Sequence, residues 1–217
     1  MIGQLAANFP GSLWDLVPKG SFNYGGGGVN AWRSICGGPN GGSALLAQLG
    51  APTSVKDEYN AWYERNAFPS NAAYEDYASG TWTPGGLATA GWGTASNQLI
   101  PPRDNAPTSK PKSLLCHASH ARWITAAGGE NGAWITSAPA ANGGPAAAGA
   151  DRCSKLVYDC VYKLCTLIND WKAGTLPSGA LDPSAQATGC MNPSCHAGTA
   201  AAVEVAGKTK CTESCHK

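Results

Sequence analysis

The chain has 217 residues, a length that suits one domain with a short appendage. Only 13% of the residues are charged, and 15 Lys and Arg nearly balance 14 Asp and Glu, so the formal net charge is +1. This balance argues against a nucleic-acid-binding protein, which would carry a basic excess. No apolar run approaches the ~20 residues of a membrane-spanning helix, and residues 1–10 lack the basic-then-apolar pattern of a signal peptide.

The first part of the chain contains three predicted helical stretches. Residues 29–50 are predicted to form a helix, a glycine interruption and a second helix, and a third helix is predicted at 54–68, capped by Thr53 or Ser54. The glycine run at residues 25–28 is typical of a surface loop or a close backbone contact. One face of the first predicted helix would carry Trp32, Ile35 and Cys36, and the third would carry Tyr59, Trp62 and Tyr63.

The second part contains two predicted helices between irregular segments. Residues 69–112 and 137–150 are predicted to be loop and linker, because they are rich in Gly, Pro, Ala and small polar residues. A helix is predicted at 113–127 with Ser113 as its cap, and a longer one at 151–172. The longer helix would begin with Asp151 as N-cap, end at Gly174 and carry the apolar stripe Cys153, Leu156, Val157, Cys160, Leu164, Leu167, Ile168 and Trp171. The sequence thus predicts a mainly α fold with long irregular loops, divided into a helical domain at 1–175 and a core-poor segment at 176–217.

Two similar motifs in the C-terminal segment carry the clearest chemical signal. Residues 190–196 read Cys-Met-Asn-Pro-Ser-Cys-His, and residues 211–216 read Cys-Thr-Glu-Ser-Cys-His. Both resemble the Cys-x-x-Cys-His sequence of c-type haem attachment, with longer spacers. In that chemistry two thiols add to the haem vinyl groups, and the following His binds the iron. The motifs predict thioethers at Cys190, Cys195, Cys211 and Cys215, with His196 and His216 as proximal ligands.

Zinc binding and disulfide formation are the alternatives for these four cysteines. Two closely spaced cysteine pairs can hold zinc, and disulfides can staple a segment that lacks a core. Neither alternative requires a His directly after the second cysteine of both motifs. Covalent haem is therefore the favoured interpretation.

The histidine count matches the ligand demand of two haems. The chain has four His, and His117 and His120 remain after the two motif histidines are assigned. They are three residues apart on a predicted helix, so they face the same side. We expect them to be the distal ligands of two low-spin, bis-His haems; ordinary packing of a histidine pair is the alternative.

Several segments together resemble the split-Soret cytochromes c, dihaem proteins related to redox proteins with C-GCAxxG-C-C cysteine patterns. The similar segments are residues 32–38 (Trp-Arg-Ser-Ile-Cys-Gly-Gly), 116–123 (Cys-His-Ala-Ser-His-Ala-Arg-Trp), 151–157 (Asp-Arg-Cys-Ser-Lys-Leu-Val) and the two haem motifs. The resemblance covers residues 25–217 loosely, with 55–110 unmatched. It implies a helical domain followed by a dihaem segment, a tight dimer that brings haems together, and a [2Fe–2S] cluster.

Five cysteines remain after haem attachment, and an iron–sulfur cluster needs four thiolates. Cys36, Cys116 and Cys153 lie in the family-like segments. Cys160 is seven residues from Cys153, on nearly the same helix face, whereas Cys165 is turned away. The candidate cluster ligands are therefore Cys36, Cys116, Cys153 and Cys160. The alternative is that Cys160 and Cys165 are buried apolar thiols and that the other three are free or in a disulfide.

These features predict a protein that carries single electrons rather than an enzyme. Two His on each iron leave no position for a substrate, and no residue pattern indicates hydrolysis or group transfer. The expected partners are a second copy of the chain and redox proteins, with no nucleic acid and no membrane span. Because thioether attachment normally occurs outside the cytoplasm, we expect a periplasmic or extracellular location. The alternatives are a subunit of an electron-conducting extracellular filament and a haem-dependent reductase of small molecules.

Overall fold

The computed structural model describes residues 7–17, 24–30, 32–81, 102–138 and 145–176. Within these ranges the chain is mainly helical, as the sequence predicts, and its β pairing consists of two isolated antiparallel bridges. A 3-10 turn at Leu13–Leu16 is followed by six helices: α1 (Gly37–Gln48), α2 (Thr53–Arg65), α3 (Ala72–Ala78), α4 (Cys116–Ala126), α5 (Ala133–Thr136) and α6 (Pro145–Ala173). The predicted haem segment at 176–217 lies, apart from its first residue, outside the described ranges.

The main core is formed where α1, α2 and α6 pack against one another. Its buried apolar residues follow helical spacing on each element, which explains why these three helices form. They are Cys36, Leu45, Leu46, Ala51, Val55, Tyr59, Tyr63, Phe68, Leu156, Cys160, Leu164 and Leu167. The aromatic rings stack, with Tyr63 and Phe68 centroids 5.3 Å apart.

A smaller core lies where α4 and α5 meet the first turns of α6. Trp123 is fully buried there with Ile135, Ala138 and Ala148. The Trp123 indole Nε1 donates a hydrogen bond to the carbonyl of Pro107 at 2.7 Å. This core fixes α4 beside α6, and α4 carries both histidines of the described chain. In the described part of the chain, no helix is both long and apolar enough to cross a bilayer.

Buried charged groups fasten the loops to α6. The Asp159 carboxylate accepts hydrogen bonds from the Ser70 backbone N–H, at 2.7 Å, and from its hydroxyl. The Lys155 ammonium donates to the Arg103 carbonyl, and Arg103 lies 3.7 Å from the Asp151 carboxylate in an ion pair. The loops on both sides of the undescribed residues 82–101 are therefore held on one helix.

The helix predicted through Trp32 and Cys36 is wrong. Residues 32–36 are not helical, since Arg33 has a positive φ and Ile35 pairs with Leu115, and Trp32 is 85% exposed, whereas Cys36 is buried. The three residues therefore do not share a face. The helix instead begins at Gly37 and continues through the glycines that were expected to interrupt it.

Several smaller predictions are also corrected. The helix α6 begins at Pro145, inside the predicted linker, so Asp151 is a buried residue within the helix rather than its N-cap. The predicted loop 69–112 contains α3. The caps predicted for α2 and α4 are not found, since Pro52 precedes α2 and Leu115 precedes α4, and neither position makes a side-chain cap hydrogen bond. On the predicted stripe of α6, Cys153 and Val157 are exposed.

Candidate haem-ligand and thiol site

The candidate site is built on a short pairing between residues 34–36 and 114–116. The Cys36 N–H donates to the Leu114 carbonyl at 2.8 Å, and the Cys116 N–H donates to the Ser34 carbonyl at 2.5 Å. Both segments then turn into helices, because Cys36 is the N-cap of α1 and Cys116 is the first residue of α4. The pairing thus brings together two cysteines that are 80 positions apart, each at a helix N-terminus.

The Cys36 and Cys116 thiols interact directly. A hydrogen bond from the Cys116 thiol lowers the pKa of Cys36 to about 6, although burial acts in the opposite direction. Donating that hydrogen raises the pKa of Cys116. The interaction therefore favours the thiolate form of Cys36 and the protonated form of Cys116.

Glycine at position 28 permits this arrangement. Gly28 has a φ of 73°, and a Cβ there would lie 2.7 Å from the Cβ of Cys116. Gly28 is also buried, so part of the glycine run makes a close backbone contact, the second of the two interpretations of its sequence.

A buried arginine supplies positive charge to the thiols. Arg152 of α6 is 1% exposed, and its Nη2 donates to the carbonyl and hydroxyl oxygens of Ser119. Its charge lowers the pKa values of Cys36 and Cys116. In the described chain the Nε of this buried side chain has no hydrogen-bond partner.

The remaining described cysteines occupy three different environments. Cys160 is buried in the same core as Cys36, and its carbonyl accepts a hydrogen bond from the Tyr59 hydroxyl at 3.3 Å. Burial raises the pKa of the Cys160 thiol. Cys153 is exposed, with the Arg152 Nη1 3.8 Å from its sulfur, and Cys165 is exposed further along α6.

The four predicted cluster ligands are near one another but are not arranged as a metal site. Cys36 is close enough to raise the pKa values of both Cys116 and Cys160, and Cys153 is close enough to raise the pKa of Cys116. Among the residues with described positions, no three His, Cys, Asp or Glu side chains are grouped to hold a metal ion, and the five cysteines form no disulfide. As arranged, the four thiols do not fit a [2Fe–2S] cluster, which stays a prediction of the family resemblance.

His117 is held in an orientation that suits iron binding. Its Nδ1 lies 3.0 Å from the Arg33 carbonyl oxygen, and its backbone N–H donates to the same oxygen at 3.1 Å. A carbonyl can only accept, so this contact requires the proton on Nδ1 and leaves the lone pair on Nε2. This is the arrangement in which histidine binds metals through Nε2.

His120 lies one turn further along α4, against α6. Its ring centroid is 5.8 Å from that of Trp123, and its Cε1 is 3.5 Å from the position that a Cβ on Gly149 would occupy. Burial and the charges of Arg152 and Arg33 lower the pKa of His120 to about 4. The imidazole is therefore neutral at pH 7 and keeps a lone pair for a metal.

The six predicted residues of the haem motifs lie outside the described residues. They are Cys190, Cys195, His196, Cys211, Cys215 and His216.

The sequence interpretation missed three residues of this site: Arg33, Tyr63 and Arg152. One was detectable, because Arg152 precedes Leu156 and Cys160 at intervals of four and so lies on the buried stripe of α6. The other two act through a backbone carbonyl and through the buried Tyr63 hydroxyl, which lowers the pKa of the Cys36 thiol. Sequence pattern carries no signal for such contacts.

Comparison with known proteins supports the fold. No family model and no curated protein matches the chain. Among solved structures, it resembles the split-Soret cytochrome c from Desulfovibrio desulfuricans ATCC 27774, a structure described as containing a novel iron centre. The two chains are 21% identical, the match covers 93% of this chain and 78% of the other, and the TM-score is 0.56. At this identity the likeness establishes a related fold.

Proposed function

We propose that the protein is a dihaem c-type cytochrome that transfers single electrons outside the cytoplasm. Haems would be attached at the two C-terminal Cys-x(n)-Cys-His motifs, with His196 and His216 as proximal ligands. The distal ligands would be His117 and His120. The likeness in fold to a cytochrome c supports this assignment.

The orientation of His117 is the observation that carries the proposal. Two contacts to one carbonyl oxygen hold this imidazole with Nδ1 as the donor, which is the tautomer that binding of a metal through Nε2 requires. The hydrogen bond on Nδ1 also makes Nε2 a stronger electron donor to a metal.

The residues around His120 favour the neutral imidazole, which is the form that can bind iron. Burial and two guanidinium groups favour its neutral form, so His120 does not have to lose a proton at pH 7 before binding. Its packing on Trp123 and against Gly149 limits ring rotation. When bound, haem supplies an iron that alternates between ferric and ferrous states, and two His ligands on one iron exclude other ligands.

We also propose that the protein acts as a homodimer in the periplasm or extracellular space. Val157 and Val161 of α6 are exposed one turn apart, an apolar stripe that a second copy would cover. The proposed thioether attachment of haem supports a location outside the cytoplasm, because this attachment normally occurs there. Light scattering of the holoprotein tests the dimer, and a monomer at micromolar concentration would disprove it.

A pyridine haemochrome assay on protein from a haem-c-maturing host tests the main proposal. We expect two covalent haems per chain, a low-spin spectrum and no carbon monoxide binding by the reduced protein. Absence of covalent haem would refute the proposal. Carbon monoxide binding would instead favour the reductase alternative, because it requires an open position on the iron.

A further inference from the structure

An exposed apolar patch lies beside the candidate ligand His117. Trp32 is 85% exposed and Ile35 is 43% exposed, although they are large apolar side chains. Between them, Arg33 supplies the carbonyl that holds the His117 imidazole. The three residues therefore lie on the segment that orients the imidazole, next to the place that a haem would occupy.

The charge of Arg33 is available for a ligand. Its side chain is exposed and makes no ion pair within the described part of the chain. It lies near enough to His120 to influence that ring. Haem carries a large apolar ring and two propionate carboxylates, so an exposed Trp, an exposed Ile and an unpaired Arg match its two kinds of surface.

The backbone of this segment is strained. Arg33 has a φ of 57°, and Val29 and Asn30 just before it also have positive φ. This conformation is sterically disfavoured for residues that carry a Cβ. Such strain persists where packing or function compensates for it. Here it places the Arg33 carbonyl on His117 and leaves Trp32 in water.

We propose that residues 32–35 form one wall of a haem pocket, in which Trp32 and Ile35 cover the porphyrin ring and Arg33 pairs with a propionate. This inference rests on the proposed function, since the occupant is the haem whose iron His117 binds. The occupant is carried by the C-terminal segment of the chain.

The length of the C-terminal segment is compatible with this occupant. His120 lies beside Gly149, which precedes the end of α6 by 24 residues, or about 36 Å of helix. From the last described residue, Leu176, the chain has 14 residues to reach Cys190, and these can span about 46 Å. The first haem motif can therefore reach the patch from the same chain.

Replacement of Trp32 tests the apolar part of the wall. In the holoprotein, Trp32→Ala should expose one haem to water, which favours the ferric form, and should shift its reduction equilibrium by about threefold, or about 30 mV toward lower potential. The Soret circular dichroism should change as well, and Trp32→Phe should preserve most of both properties. Phe9→Ala removes another exposed aromatic outside this segment and is the control.

Replacement of Arg33 tests the charged part. Arg33→Gln should shift the reduction equilibrium of the same haem by about threefold toward the ferric form and alter the pH dependence of its potential. Arg33→Lys should restore both properties in part. Arg65→Gln is the control, since Arg65 is an exposed arginine of α2. Two covalent haems with unchanged potentials and Soret dichroism in the Trp32 and Arg33 variants would overturn the inference. Absence of haem would contradict the proposed function instead.

Discussion

The His117 imidazole and the Arg33 carbonyl oxygen are joined by a 3.0 Å contact that fixes the ring and its tautomer. If His117 binds a haem iron, its loss should open one axial position. We expect His117→Ala to convert one of the two haems to a high-spin form, visible in the absorption and electron paramagnetic resonance spectra. The reduced variant should also bind one carbon monoxide per chain.

Two further variants complete this experiment. His117→Met should remain low-spin with a raised potential, because a thioether ligand favours ferrous iron. His120→Ala should open the other haem, so the two alanine variants should differ in which reduction step is altered. Low-spin spectra in both alanine variants would contradict the ligand roles of both histidines.

The sequence predicts the long helices because their signal is local. Buried Tyr59 and Tyr63 recur one turn apart on α2, and the Leu156, Cys160, Leu164 and Leu167 stripe does the same on α6. The segment at 32–36 shows where such reasoning fails. Its apolar residues match a helix by spacing, but its conformation depends on pairing with Leu115, 80 residues away.

The candidate site was predictable in its parts but not in its assembly. His117, His120, Cys36 and Cys116 are all identifiable from residue type and spacing. The approach of Cys36 to Cys116 depends on non-local backbone pairing, and the roles of Arg33 and Tyr63 depend on a carbonyl and a hydroxyl that leave no pattern in the sequence.

Two neighbouring glycines of α1 should respond oppositely to alanine. A Cβ on Gly42 would lie 2.5 Å from the Tyr59 hydroxyl oxygen, whereas a Cβ on Gly41 would meet nothing within 4 Å. We expect Gly42→Ala to lower the free energy of unfolding by about 1–3 kcal/mol through overpacking. Gly41→Ala should raise it by up to about 1 kcal/mol through helix propensity.

Urea denaturation of both glycine variants measures the difference through the transition midpoint. The slope with which the free energy of unfolding falls with urea concentration should be the same in Gly41→Ala as in the wild type. Equal midpoints for the two variants would show that Tyr59 can move away from α1, contrary to its buried position between α1 and α6.

The buried carboxyl of Asp159 should make stability depend on pH. Burial raises its pKa above the usual value of 3.8, and the Ser70 hydrogen bonds offset this only in part. The folded state therefore holds the proton more tightly than the unfolded state, and this group's contribution to stability is lost as pH rises from 3.8 through the folded pKa. Asp159→Asn should remove this pH-dependent contribution to stability.

Measurements of the unfolding free energy of wild type and Asp159→Asn from pH 3.5 to 7 test the direction of this pH dependence. We expect the variant to gain stability relative to wild type as pH rises. Ser70→Ala is the companion variant, and it should cost about 1.5–3 kcal/mol at pH 7 because it removes a hydrogen bond to a charged group. A difference that falls with pH would mean that the pKa of Asp159 is lowered.

Native alkylation of the cysteines compares thiolate charge with burial. At pH 7, a pKa of about 6 makes Cys36 mostly thiolate, an advantage of about 30-fold over an ordinary thiol of pKa ~8.5. Cys36 is nevertheless only 7% exposed, and opening a buried site costs several kcal/mol, or a factor of about 100 or more. The effect of burial on the alkylation rate should exceed that of the thiolate charge. Iodoacetamide should therefore modify exposed Cys153 and Cys165 first, then half-buried Cys116, and Cys36 and Cys160 last.

Peptide mass spectrometry over a time course gives this order, and Cys165 is the internal control because it is exposed and remote from the thiol pair. Modification of Cys36 before Cys153 would show that the pairing of residues 34–36 with 114–116 opens readily. Protection of Cys153 together with Cys36 and Cys116, while Cys165 still reacts, would have a different cause. It would mean that Cys153 is covered in the holoprotein, by iron or by the second copy proposed to cover Val157 one turn further along α6.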